Sequence, residues 1–166
     1  MHVGAMEAPP AVMSTYLGDD MTTFLEGFMN GDVKEYKPSK KELGFGVDAI
    51  KPIEVPAEDR NRTSPFPYGG YRFEFRACGS SQNVSLVNTV LNTITAEGFK
   101  IIADRVEAGE DAVAVAQDLL KAHSKCIFNG NGYDPEWPAK AVEKGIWRID
   151  SGVEASSWTL RRIRNL

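Results

Sequence analysis

Cysteine is scarce in this chain: Cys78 and Cys126 are the only two among 166 residues. They form neither a disulfide framework nor a zinc-binding spacing, and a reducing compartment is the simpler expectation. Histidine is equally rare, with only His2 and His123. No apolar run approaches the roughly 20 residues that a membrane helix needs. The first residues lack the basic and apolar regions of a secretory signal, so a cytoplasmic chain without membrane contact is expected. Positive charge is not in excess either. The 19 Lys and Arg against 23 Asp and Glu leave a formal net charge of -4, without the basic balance of a typical nucleic-acid binder. Internal repeats and low-complexity runs are missing. The length suffices for one domain with its own core.

What is present begins with helical signals. Pro9-Pro10 predicts a helix opening at about Ala11 and running to Phe28, interrupted around Gly18 and Asp19-Asp20, with Asn30-Gly31 as the stop. Residues 31–58, rich in Lys, Glu, Pro and Gly, read as a long connection carrying a short strand around Ile53-Glu54-Val55. Ser80-Ser81 can cap a helix whose apolar positions Val84, Val87, Leu91, Ile94, Ile101 and Ile102 recur at helical spacing, with Gly98 weakening its middle. A second amphipathic helix is predicted over 110–123, with Val113, Ala116, Leu119 and Leu120 facing inward. Asn129-Gly130-Asn131-Gly132 reads as a loop: backbone amides there could cradle an anion, although such loops are usually plain turns. Asp134-Pro135 starts a third helix that Lys144-Gly145 ends. The tail from Ser151 is expected to be helical, its Arg161, Arg162 and Arg164 complementing the helix dipole. The class is α+β, with few visible strands for so many helices.

The segment Tyr71-Arg72-Phe73-Glu74-Phe75-Arg76 alternates strictly. A strand sends successive side chains to opposite faces, so Arg72, Glu74 and Arg76 share one face, and Tyr71, Phe73 and Phe75 pack into a core behind it. Two chemistries suit such a row. Guanidinium groups match phosphate and carboxylate oxygens while the central carboxylate can ligate a hard cation. The row also makes sense as an ion-pair ladder on a solvated strand face.

The same stretch carries a resemblance. Asn61-Arg62-Thr63-Ser64-Pro65-Phe66, then Arg72-Phe73-Glu74-Phe75-Arg76, then Gly79-Ser80-Ser81 resemble the catalytic core of the glutamine synthetase family in its long type III form. Gly4-Ala5-Met6-Glu7-Ala8-Pro9-Pro10 resembles the family's flap, Leu91-Asn92-Thr93 with Ala96-Glu97 its following helix, and Ile127-Phe128-Asn129-Gly130-Asn131-Gly132-Tyr133-Asp134 a later type III signature. The resemblance runs through most of residues 2–150 in the family's order. It implies part of a catalytic domain over 1–150, an antiparallel β-sheet segment backed by helices, and a C-terminal helical tail over 151–166.

The resemblance also implies a reaction: ATP-dependent ligation of ammonia to glutamate through a γ-glutamyl phosphate, with Mg²⁺ or Mn²⁺ and ring homo-oligomers in the parent enzyme. By motif, Arg62 stabilises the transferring phosphoryl group and Glu7 closes the site and helps deprotonate ammonium. Arg72 contacts ATP phosphates, Glu74 ligates the metal, and Arg76 binds a glutamate carboxylate. There are departures. His2 stands where the family carries a glutamate-binding arginine, and the family's further metal-ligand glutamates and histidine have no counterpart. One carboxylate does not hold a cation that takes about six oxygens. We therefore expect a part of a longer enzyme, inactive alone. The alternative is a truncated, non-catalytic relative that binds nucleotide or partner subunits.

Overall fold

The computed structural model describes residues 12–39, 41–47, 50–55, 64–77, 81–149 and 151–164. Among these residues, five α-helices, one short 3₁₀-helix (Ser124–Cys126) and two short strands follow in chain order. The α-helices and strands are α1 (Asp19–Met29), β1 (Lys41–Leu43), β2 (Ile53–Val55), α2 (Ser85–Glu107), α3 (Ala112–His123), α4 (Trp137–Glu143) and α5 (Gly152–Arg164). The composition is α+β, as expected. No helix among the described residues is long and apolar enough to cross a membrane.

The first helix starts later than its sequence predicts. Gly18 takes a left-handed φ of 78° before Asp19 and breaks the run. Residues 12–17 are extended instead, because their backbone pairs elsewhere: Thr15 N–H donates to Cys126 C=O at 2.8 Å, and Phe128 N–H to Thr15 C=O at 2.9 Å. α1 has no cap from its own N-cap side chain. Asn129, more than a hundred residues away, supplies one: its Oδ1 accepts from Leu17 N–H and Gly18 N–H at 3.1 Å each, and its Nδ2 donates to Thr22 Oγ1 at 2.8 Å.

The strand expected around 53–55 is β2, paired antiparallel with β1 in the register Leu43↔Ile53 and Glu42↔Glu54. That register sets like charges opposite each other, which weakens the pair. Leu43 and Ile53 stay exposed, and the hairpin contacts no helix among the described residues.

α2 begins at Ser85, not at Ser80-Ser81, and Asn83 does the capping: its Oδ1 accepts from Ser85 N–H at 2.8 Å. Gly98 passes through the middle without a break. Gly109 ends the helix at φ 96°, with Gly109 N–H to Val106 C=O and Glu110 N–H to Arg105 C=O closing its last turn. Arg105 then ties α2 to α3 by donating to Glu110 and, at 3.0 Å, to Asp118. α3 is capped by Asp111, which accepts from Ala114 N–H at 3.0 Å. Its buried residue is Val115, whereas Val113, expected inside, is 42% exposed. α1 and α2 both pack against α3.

The buried apolar cluster is small: Val12, Trp137 and Ala141, with Phe128 and Ile146 packed on it. Phe128 stacks on Trp137 with ring centroids 3.5 Å apart. α4 ends as the Lys144-Gly145 signal implies, Gly145 at φ 74° and Ile146 N–H reaching Ala141 C=O at 2.9 Å. The helix starts two residues past Pro135, because Asp134 first closes a turn through Glu136 N–H at 2.9 Å. In α5 the Arg162 guanidinium lies 4.8 Å from the Trp158 ring centroid.

Candidate functional site

The charged row sits on a hairpin of two extended segments, 65–69 and 72–76, joined through Gly70 at φ 82°. Gly69 N–H donates to Arg72 C=O at 2.7 Å, Glu74 N–H to Pro67 C=O at 3.0 Å, and Arg76 N–H to Pro65 C=O at 2.8 Å. An antiparallel pair normally exchanges two bonds at each such position. Proline has no N–H, so positions 65 and 67 return none. This explains why a segment with ideal strand alternation forms only an isolated bridge, Tyr68↔Phe73, and no continuous ladder.

The alternation still sorts the side chains. On one face Phe66 stacks on Phe73 at 4.9 Å between centroids, Tyr68 lies 5.3 Å from Phe73, and Phe75 lies 6.4 Å from Phe66. The expectation of a core behind this face is corrected in degree. Tyr71 is 82% exposed and Phe73 50%, while Phe75 is half-buried. The aromatic face borders an apolar cavity of about 540 Å³ that also involves Met13, Leu86, Val90 and Ile94.

On the other face Glu74 lies between two arginines. Arg76 Nε donates to its Oε1 at 3.1 Å, and an Arg72 Nη2 nitrogen lies 3.7 Å from its Oε2. Arg72 also donates to the Tyr71 hydroxyl and sits 4.8 Å from that ring's centroid. The hydrogen bond from Arg76, with the charges of both arginines, holds the Glu74 carboxyl below its ordinary range. The row thus has one ionised carboxylate and two guanidinium groups, half open to solvent. Chemically it can accept an anion by exchange with Glu74, or offer Glu74 to a cation. Among the described residues no group of three or more His, Cys, Asp or Glu could hold a metal ion, so Glu74 fits as one ligand and not as a complete site.

Of the five residues singled out from the sequence, the structure brings Arg72, Glu74 and Arg76 together. Glu7 and Arg62 lie outside the described residues, as do His2 and Cys78. Sequence reading passed over two buried side chains next to the hairpin, Ser14 and Ser64, at 2% and 0% exposure. No local signal marks Ser64, because its partner Ser14 lies 50 residues away. The asparagine loop is explained by the capping of α1, with no need for an anion.

Comparison with known proteins agrees with the motifs. A family model described as the glutamine synthetase C-terminal domain matches residues 111–162, the region of α3 to α5. The chain is 38% identical over 161 residues to the type-3 glutamine synthetase of Dictyostelium discoideum, covering 92% of this chain and 22% of that protein. It is 32% identical over 163 residues to the glutamine synthetase of Bacteroides fragilis (strain YCH46), with the same two coverages. The glutamine synthetase of Butyrivibrio fibrisolvens is 32% identical over 152 residues, covering 87% of this chain and 21% of that one. The chain belongs to the glutamine synthetase family. It spans about a fifth of the length of these relatives.

Proposed function

We propose that this chain contributes part of the active site for ATP-dependent ligation of ammonia to glutamate. The observation that carries the reading is the Arg72–Glu74–Arg76 row on one exposed face, in a chain of this family. Transfer of a phosphoryl group to the glutamate γ-carboxylate needs cations around the spreading negative charge, because catalysis there is mostly positioning and charge stabilisation. Arg72 serves the ATP phosphates and Arg76 the glutamate carboxylate, each as a bidentate fork. Glu74 provides one oxygen ligand to Mg²⁺ or Mn²⁺, which when bound screens phosphate charge. Arg62 stabilises the phosphoryl group in transfer, and Glu7 closes over the acyl phosphate and takes a proton from ammonium. In the resting chain Glu74 holds both guanidinium groups in place, so ligand binding exchanges one set of charge-assisted bonds for another. We place the reaction in a cytoplasmic ring homo-oligomer.

A second reading is a non-catalytic relative that binds nucleotide or partner subunits. It draws on Glu74 being the one carboxylate of the row, too few for a catalytic metal. A chimera separates the two. The chain replaces its counterpart in the Dictyostelium type-3 enzyme, and γ-glutamyl transfer is measured with ADP and Mn²⁺. Activity in the chimera that disappears with Arg62→Ala supports the catalytic reading. An inactive chimera that still binds nucleotide points to the second.

A further inference from the structure

The segment Ser14–Gly18 is held from both sides. On one side it pairs with Cys126–Phe128, and on the other with the proline-bearing half of the charged hairpin. On the second side Tyr68 N–H donates to Tyr16 C=O at 2.7 Å. Two residues earlier on both segments, Phe66 and Ser14 are joined through a side chain. Phe66 N–H donates to Ser64 Oγ at 3.2 Å, and Ser64 Oγ donates to Ser14 C=O. The serine hydroxyl is a relay between a backbone donor and a backbone acceptor. Ser14 Oγ adds a bond to Ser64 Oγ at 3.3 Å. Pro65 and Pro67 flank the relay and offer no N–H of their own. Ser64 is 0% exposed, so no water replaces its hydroxyl without local opening.

We infer that Ser64 is a positioning residue that locks the charged hairpin to segment 14–16. Its hydroxyl bonds Ser14 and Phe66. It acts through Pro65 and Pro67, whose carbonyls receive Arg76 N–H and Glu74 N–H. The strand carrying the row is therefore referenced to the rest of the molecule through the Ser64 relay and the Tyr68–Tyr16 bond. The functional weight of this inference rests on the reading of the Arg72–Glu74–Arg76 face proposed above. The test of the relay does not.

Amide hydrogen exchange resolved by residue, on the full 166-residue chain, tests the relay. Ser64→Ala leaves Ser14 C=O and Phe66 N–H buried without their link. Exchange at Phe66, Tyr68, Glu74 and Arg76 is expected to accelerate roughly ten- to hundredfold, the loss of a buried hydrogen bond. Leu119 and Leu120 in α3 keep their rates. Ser64→Thr, which retains the hydroxyl, restores the slow rates. Unchanged hairpin rates in Ser64→Ala overturn the inference, and so does uniform acceleration across hairpin and α3, which means ordinary packing. If Ser64→Ala does not fold, Ser64→Thr decides: native protection at Tyr68 and Glu74 upholds the relay, and its loss overturns it. Titration with ADP and Mn²⁺ is read alongside. Failure of the unaltered chain to bind leaves the exchange result standing, and the chimera described above then decides the active-site reading. Binding that weakens in Ser64→Ala and recovers in Ser64→Thr ties the relay to the site.

Discussion

Glu74 illustrates how far one side chain depends on its two neighbours along the strand. Arg76 donates to it and Arg72 stands close by, so ionisation is favoured in the folded state. A depressed carboxyl pKa contributes order to the hairpin above the ordinary carboxylate range. That contribution disappears as pH falls through the lowered, folded value. A carboxyl-carbon NMR titration should therefore place Glu74 below the ordinary glutamate value, and Arg76→Ala should return it toward that value. An unshifted Glu74 in the unaltered chain would mean that the ion-pair ladder does not persist in solution. Gly130 makes a steric point at the same scale. A Cβ there would come within 2.8 Å of the Phe128 ring, which is itself stacked on buried Trp137. Gly130→Ala should cost about 1–3 kcal/mol in chemical denaturation.

Among the elements, α1 shows how a helix terminus can be completed from elsewhere. Its start follows from Gly18 and its acidic first turn, but its cap is Asn129. Asn129→Ala should cost about 0.5–2 kcal/mol, the usual worth of an N-cap, and should raise amide exchange first at Leu17 and Gly18. α2 shows the opposite situation. Leu86, Val90 and Ile94 repeat every four residues along one side, and they are 72%, 51% and 60% exposed. Such a stripe favours self-association. The double substitution Val90→Lys with Ile94→Lys should lower self-association in sedimentation measurements while changing unfolding stability by less than about 0.5 kcal/mol per site. A larger loss of stability would show that the stripe is covered in solution. The helix itself was legible in the sequence because period-3.6 patterning is local. Its first residue was not, since Ser80-Ser81 and Asn83 are equally good caps on paper and only the chain path chooses between them.

Across the whole molecule, the hub is a short extended segment, not a regular sheet. Residues 14–18 join the charged hairpin, the asparagine loop and the start of α1. If the row is a nucleotide site, ligand binding should stabilise the entire chain. ADP with Mn²⁺ at a hundredfold excess over its dissociation constant should add about 2.7 kcal/mol to unfolding, and Glu74→Ala should remove the metal-dependent part. Equal stability with and without ligand would mean that the row does not hold nucleotide without the rest of the site.

The sequence by itself determined the family, the α+β composition, the helices of period 3.6, their glycine stops, and the shared face of Arg72, Glu74 and Arg76. Each of these depends on near neighbours along the chain: side-chain periodicity, left-handed glycines, and motifs a few residues long. Tertiary structure decided the rest. It made residues 12–17 extended where Pro9-Pro10 suggested a helix, because their N–H and C=O groups found partners at 68, 126 and 128. It reduced a regular strand to a hairpin bonded in one direction, because the prolines that oppose Glu74 and Arg76 carry no donor. It gave Ser64 and Asn129 their roles, because a hydrogen bond across 50 or 111 residues is a property of the folded path and leaves no trace in local spacing.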